Sequence, residues 1–131
     1  MLFRSSHDIG VREGTARAKV QGLEPVTWHN PRGHIGGYGQ GFDDIMRDNA
    51  TGKLVVVEFK GGTADLANAQ MSRQWVSDRI DQIAPTNPEL AAELRAALDK
   101  GELTGRVYRT SVQDGKAVST TMDPIIPYAK K

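Results

Sequence analysis

Residues 41–60 have the sequence GFDDIMRDNATGKLVVVEFK, and this stretch predicts a β-hairpin. Its second half contains an apolar, mostly β-branched run from Leu54 to Val57, which is typical of a buried central strand. Residues 48–53 supply the turn, because asparagine tolerates a left-handed backbone and glycine adopts one without steric penalty. The stretch therefore predicts two antiparallel strands within the sheet of an α/β protein.

The register of this hairpin decides which acidic side chains meet. If Asp48 pairs with Lys53 across the turn, the same register places Asp43 opposite Glu58. Side chains alternate along a strand, so Glu58 shares a face with Lys60. The hairpin is therefore predicted to bring two carboxylates and an ammonium group together at one edge of a sheet.

Asp44 lies opposite Val57 in this register and points to the other face. It is a surface charge, a second ligand, or the true partner of Glu58 if the register is shifted by one residue. The predicted role of Asp44 thus depends on the pairing register that the turn sets.

Two convergent carboxylates suit a hard divalent cation, which prefers oxygen ligands and relieves the repulsion between like charges. A neighbouring lysine can orient a water molecule and help to deprotonate it while the metal polarises a phosphoryl oxygen. The alternative is a half-exposed hairpin whose charges have no chemical role. The combination of a buried strand, a terminal Glu-x-Lys and a register-matched aspartate favours metal chemistry.

The same residues resemble the PD-(D/E)xK nuclease superfamily, whose hallmark is an acid on one strand and Glu-x-Lys on the next. Asp43 and the Glu58-Phe59-Lys60 triplet match that pattern, whereas Phe42 replaces the proline that precedes the first acid. The resemblance implies an αβββαβ core, with Asp43, Glu58 and Lys60 as catalytic residues and Mg²⁺ as the cofactor, Mn²⁺ or Zn²⁺ being alternatives.

Two further positions are implicated by the resemblance, which covers about residues 8–83. Glu13, in a predicted N-terminal helix, corresponds to an additional metal-binding glutamate of many members. Gln70, expected in the helix after Lys60, corresponds to a glutamine that orients the metal site or contacts phosphate. Residues 41–75 are also similar to C-terminal nuclease domains of bacterial contact-dependent inhibition and polymorphic toxins.

Composition is that of one soluble domain spanning 1–131. The chain has 131 residues, a formal net charge of +1 and no cysteine, which excludes thiolate zinc sites and cysteine nucleophiles. No apolar run approaches the ~20 residues of a membrane span, and the first residues do not predict a signal peptide.

Periodicity and turn residues predict the other elements. They are a helix at 8–23 capped by Asp8, a strand at 25–29, a loop at 30–41 and a helix from Thr63 or Asp65 to Ile83. Residues 85–88 end that helix and cap the next one, at 89–99. Strands at 103–112 and 117–121 are joined by a hairpin turn at 113–116. This order predicts a mixed sheet flanked by helices. Relative to the αβββαβ core it contains one extra helix and one extra C-terminal strand.

Residues 30–41 are rich in glycine and carry Arg32, His34 and Tyr38, which are candidates for contacting phosphate or bases, as is Arg73. The loop is equally compatible with a plain connector. The chain contains only three histidines and lacks a downstream pair at helical spacing, so a His-based nuclease site is disfavoured.

The resemblance implies a metal-dependent DNase toxin that acts in the cytoplasm of a target bacterium and is neutralised by an immunity protein. A tRNA-cleaving toxin and a housekeeping resolvase-like or restriction-like nuclease are the alternatives. An interaction domain that retains the fold without catalysis belongs to a different class, which the intact Asp43, Glu58 and Lys60 disfavour.

Overall fold

The β-branched run forms the central strand of a mixed sheet in the computed structural model, which describes residues 5–26, 43–67 and 69–130. The elements follow in the order α1 (Ser6–Val20), β1 (Leu23–Pro25), β2 (Asp44–Asp48), β3 (Leu54–Gly61), α2 (Arg73–Ile83), α3 (Pro88–Asp99), β4 (Thr104–Gln113), β5 (Lys116–Met122) and β6 (Ile126–Pro127). The predicted class, α/β with a mixed central sheet flanked by helices, is confirmed.

The sheet has the strand order β1-β2-β3-β4-β5, and β6 pairs with the first residues of β4. The β3–β4 pair is parallel, whereas the other pairs are antiparallel. A parallel pair requires a crossover connection, which α2 and α3 provide. Both neighbours of β3 are thus strands, and its residues are buried on both faces except for the half-buried Lys60.

Alternation along β3 divides the core between the two faces of the sheet. Val55, Val57 and Phe59 pack with Ala18 of α1 on one face. The opposite face carries a larger cluster that includes Val56 and side chains of α2 and α3. Glu58, two residues after Val56, lies on this second face.

Helix α1 approaches β3 closely because glycines line the contact. A Cβ on Gly61 would overlap the carbonyl of Ser6, and one on Gly10 would come within 2.9 Å of the Gly61 nitrogen. A Cβ on Gly14 would overlap the ring of Phe59. The glycines that weaken α1 as an isolated helix are therefore required for its packing.

The predicted boundaries of α1 and β1 were wrong by a few residues. Ser5, and not Asp8, caps the helix, since its side chain accepts a hydrogen bond from the backbone of Asp8. The helix ends at Val20, and Gly22 turns the chain with φ +87°. Leu23, assigned to the helix by its spacing, is buried in β1.

The predicted start of the helix after β3 was also wrong. Helix α2 begins at Arg73 with Ser72 as its N-cap, and not at Thr63 or Asp65. The intervening segment contains two non-glycine residues with positive φ, Ala69 at 65° and Met71 at 68°, which a helix cannot accommodate. Apolar spacing therefore extended the helical prediction into a segment of turns.

The C-terminal half follows the sequence closely. Asn87 caps α3, Pro88 is its first residue, and Gly101 follows it with φ +72°. Strands β4 and β5 are joined by Asp114 and Gly115, both with positive φ, as the predicted hairpin requires. The two-residue strand β6 was not predicted. Within the described ranges, no helix has the length and apolar character needed to cross a membrane.

Candidate active site

The predicted hairpin register is confirmed. Asp44 pairs with Val57, and the backbone N–H of Asp48 donates to the carbonyl of Lys53 at 2.9 Å. Asp43, immediately before β2, consequently lies opposite Glu58.

Two hydrogen bonds hold this pair of acids in place. The backbone N–H of Asp43 donates to Oε1 of Glu58 at 3.1 Å, and the N–H of Phe59 donates to Oδ2 of Asp43 at 2.8 Å. Each carboxylate thus accepts a hydrogen bond from the backbone of the opposite strand. The arrangement fixes both side chains before any ligand binds.

Glu58 is only 3% exposed, which is unusual for a glutamate. Burial raises its pKa well above the usual value, and the neighbouring charge of Asp43 raises it further. The hydrogen bond from the backbone of Asp43 and the charge of Lys60 act in the opposite direction. Because neighbouring carboxyl groups repel each other when both are ionised, a bound proton or cation would stabilise this pair.

Gln70 completes the hydrogen bonding of Glu58. Its Nε2 donates to Oε2 of Glu58 at 2.9 Å, while its Oε1 accepts from the backbone N–H of Ala67 at 2.8 Å. Gln70 lies in the turns before α2 and not within a helix, so its predicted location was wrong. It nevertheless contacts Glu58, one of the two acids.

Lys60 lies two residues beyond Glu58 on the same strand face and is half-buried. No hydrogen bond or ion pair occupies its ammonium group within the part of the chain that the structure describes. Both residues line a cavity of about 580 Å³, together with Asp43, Gln70 and the first turn of α1. The cavity is therefore a place where a ligand would meet two carboxyl groups and a cation together.

Asp44 lies on the other face, as the register predicted. Its Oδ1 accepts a 2.8 Å hydrogen bond from the backbone N–H of Ile45. Burial raises the pKa of Asp44 to about 6, and the charges of Asp43 and Lys19 raise and lower it, respectively. Asp44 is thus close to the site in sequence but is not among the residues lining the cavity.

The structure does not bring Glu13 or Arg73 to the cavity. Glu13 forms a 3.3 Å ion pair with its neighbour Arg12. The guanidinium of Arg73 donates to the carbonyl of Ala129 at 3.1 Å and lies 3.5 Å from Asp99. The three loop candidates, Arg32, His34 and Tyr38, lie outside the described residues.

The basic side chains of β4 and β5 contribute little exposed positive charge. Arg106 is only 9% exposed and contacts Gln21 and Asp48 on the α1 face. Arg109 pairs with Asp123 and Asp65, so its charge is neutralised locally. Lys116 alone remains exposed at the hairpin tip.

The donor set of the cavity fits a hard divalent cation with few protein ligands. Asp43 and Glu58 provide carboxylate oxygens, which suit Mg²⁺ or Mn²⁺. Among residues 5–26, 43–67 and 69–130, no three His, Cys, Asp or Glu side chains converge in a way that could hold a metal. The pair would therefore supply two ligands, and Mg²⁺ commonly takes its remaining oxygens from water and phosphate.

Sequence reasoning missed several residues around the cavity. His7 lines it from the first turn of α1, but no local pattern connects position 7 with the hairpin. Tyr128 donates from its hydroxyl to the carbonyl of Met71 at 2.8 Å, next to Gln70.

Comparison of the chain with protein-family models, curated proteins and solved structures found no match.

Proposed function

We propose that this protein is a metal-dependent nuclease that hydrolyses phosphodiester bonds. The observation that carries the proposal is the convergence of Asp43, Glu58 and Lys60 on one cavity, with the two carboxyl groups fixed by reciprocal backbone hydrogen bonds. A buried glutamate with a raised pKa is costly for folding. Its placement beside a second acid at an accessible cavity favours a role in binding a cation.

Each residue has a distinct part in the proposed reaction. Asp43 and Glu58 would hold Mg²⁺, with Mn²⁺ or Zn²⁺ as alternatives. The bound ion would polarise a phosphoryl oxygen and lower the pKa of a coordinated water. Lys60 lines the same cavity, and its ammonium group would orient the attacking water and offset negative charge on the phosphate. Gln70 keeps the carboxylate of Glu58 in its orientation.

The proposed fold is the PD-(D/E)xK type. The observed order of elements, αβββααβββ, contains the αβββαβ core with an added helix before β4 and added strands after it. The acids lie on β3 and directly before β2, as in the family pattern.

The proposed biological role is that of a toxin nuclease delivered into the cytoplasm of a competing bacterium. DNA is the favoured substrate and tRNA the alternative, since the toxin nuclease domains that this sequence resembles cut one or the other. Such an enzyme requires an immunity protein in its producer. A housekeeping nuclease of the resolvase or restriction type would use the same three residues.

Nuclease activity is tested with the purified protein on plasmid, genomic DNA and total tRNA, with Mg²⁺, Mn²⁺, Zn²⁺ or EDTA. Cleavage is expected with a divalent ion and not with EDTA, and it should be lost in Glu58→Gln. Glu102→Gln is the matched control, because Glu102 is exposed and is not among the residues lining the cavity. Cleavage by Glu58→Gln at the wild-type rate would refute the assignment to this site.

The toxin role is tested by expression in bacteria without a partner. The wild-type protein should halt growth, whereas Glu58→Gln should be tolerated. Growth that is unaffected by a folded and catalytically active wild-type protein would contradict the toxin role and favour a housekeeping nuclease. An immunity protein that captures the domain by complementary charge should bind more slowly as salt rises, because screening acts over ~8 Å at physiological ionic strength.

A further inference from the structure

The segment that presents Gln70 to Glu58 has a costly backbone conformation. Ala69 and Met71, the two neighbours of Gln70, have φ values of 65° and 68°. Residues with a Cβ adopt this left-handed region at a steric cost. Such conformations persist only where surrounding contacts hold them, and they are frequent at functional sites.

One buried contact holds the Met71 end of this segment. The hydroxyl of Tyr128 donates a 2.8 Å hydrogen bond to the carbonyl of Met71, and both side chains are nearly inaccessible. Burial raises the pKa of Tyr128 and the charge of Glu58 raises it further, so the hydroxyl stays protonated and remains a donor.

A glycine on β4 makes room for this contact. A Cβ on Gly105 would overlap the hydroxyl of Tyr128 and come within 2.9 Å of the terminal methyl of Met71. The side chain of Met71 is itself part of the core cluster beneath α2 and α3. Tyr128, Met71 and Gly105 therefore form a packed unit behind the turn that carries Gln70.

The N-terminal end of the segment, near Asp65, is held by a weaker contact. Arg109 donates to Asp65 at 2.8 Å and is itself bound by Asp123. Asp65 is exposed, and exposed ion pairs contribute little to stability.

Two backbone hydrogen bonds of 3.0 Å, from Gln70 to the carbonyl of Ala67 and from Ser72 to the carbonyl of Ala69, shape the turns locally. The buried hydroxyl of Tyr128 is the side-chain hydrogen bond that ties these turns to the core.

We propose that Tyr128 is a positioning residue for the acid pair, acting through the carbonyl of Met71 and the side-chain amide of Gln70 on Glu58. The inference rests on the proposed function only for the role of Glu58 as a metal ligand. Partners that orient a metal ligand commonly affect metal affinity without touching the metal. The C-terminal residues after β5 thereby belong to the active-site architecture and not only to the core.

The test compares Tyr128→Phe with Tyr108→Phe. Both substitutions remove one hydroxyl from a buried tyrosine, but that of Tyr108 donates to Gln21 at 2.7 Å on the α1 face. Urea unfolding of both variants verifies folding. The NMR signals of the Gln70 side-chain amide, measured without metal, are the first readout. The amide proton that Gln70 donates to Glu58 exchanges slowly only while this hydrogen bond is held in place.

Tyr128→Phe should accelerate exchange of the Gln70 amide and weaken Mn²⁺ binding by calorimetry roughly tenfold, at the lower end of effects for residues that orient metal ligands. Tyr108→Phe should leave both measurements within a factor of two. In a Gln70→Ala background, Tyr128→Phe should weaken Mn²⁺ binding no further, because residues acting through one path are not additive.

The outcomes separate this inference from the proposed function. An unchanged Gln70 amide in folded Tyr128→Phe overturns the inference, as does an equal effect of Tyr108→Phe. Absence of Mn²⁺ binding or cleavage in the wild-type protein contradicts the proposed function instead, and the amide signals still decide whether Tyr128 positions Gln70.

Discussion

The backbone N–H of Asp43 donates a 3.1 Å hydrogen bond to the carboxylate of Glu58, although the two residues are fifteen positions apart. Because the hairpin register sets this contact, the separation of the two carboxyl groups depends on the turn between β2 and β3. A one-residue slip would replace Asp43 by Asp44 and move the second acid to the opposite face.

The two aspartates should therefore differ strongly in function. Asp43→Asn should reduce cleavage by at least about a hundredfold, since a carboxylate that holds the metal loses its charge. Asp44→Asn should stay within a fewfold of wild type. Steady-state cleavage rates at saturating Mg²⁺ give the comparison, and the reverse ranking would show that Asp44 is the functional acid.

Glu58 offers a choice of substitutions that separates stability from activity. Glu58→Ala leaves the backbone N–H of Asp43 and the amide of Gln70 without an acceptor, so it should lose cleavage and also about 1–3 kcal/mol of stability. Glu58→Gln keeps the shape and one of the two acceptor oxygens, so it should lose cleavage with a smaller loss of stability than Glu58→Ala. Urea unfolding with parallel activity assays tests this. Wild-type activity in either variant with metal bound would remove Glu58 from the mechanism.

Asp44 should make stability depend on pH in the metal-free protein. Its pKa is raised from 3.8 in the unfolded reference to about 6 in the folded protein, mainly by burial. The folded state therefore binds the proton of Asp44 more tightly than the unfolded state does. The resulting stabilisation of the folded state is complete below pH 3.8 and is lost as pH rises through 6.

Asp44→Asn removes this titration, so its stability relative to wild type should rise between pH 4 and pH 7. The gain at pH 7 should be about 1–2 kcal/mol after allowance for partial solvent exposure. Urea unfolding in EDTA at several pH values measures it. A difference between the two proteins that is the same at pH 4 and pH 7 would contradict the raised pKa.

Lys60→Met keeps the apolar stem of the side chain and removes its charge. Metal binding should survive or tighten slightly, because a cation beside the site is lost, whereas cleavage should fall by about 10²–10⁴. Lys53→Met, in the exposed turn, is the control. Calorimetry measures metal binding, and single-turnover kinetics measure cleavage. An unchanged cleavage rate in Lys60→Met would show that Lys60 has only a packing role.

Ala69→Gly should stabilise the protein by about 1 kcal/mol, since glycine adopts φ of 65° without the steric cost of a Cβ. Ala92→Gly, at an exposed position inside α3, should instead destabilise it by about 1 kcal/mol. Thermal or urea unfolding compares the two. Destabilisation by both would indicate that the left-handed conformation at Ala69 is not retained in solution.

The hairpin and its acid pair were predictable because local signals determined them. The turn residues fixed the register, and alternation along β3 then fixed the faces of Glu58 and Lys60. The cap and proline of α3 and the Asp114-Gly115 turn are similarly local.

The turns before α2 were not predictable in the same way. Apolar residues at helical spacing continue through Leu66 and Ala69, and tertiary contacts of Met71 override them. Tyr128 and His7 join the site only through the three-dimensional fold, so no spacing in the sequence connects them with Glu58.

The close approach of α1 to β3 has a consequence for how this site tolerates evolutionary change. Ser6 and His7 line one wall of the cavity, and that wall stands where it does because positions 10 and 61 carry no Cβ. The position of this wall therefore depends on the absence of side chains at two glycines. A homologue with alanine after its Glu-x-Lys lysine would have to shift the helix outward, and its cavity would be wider.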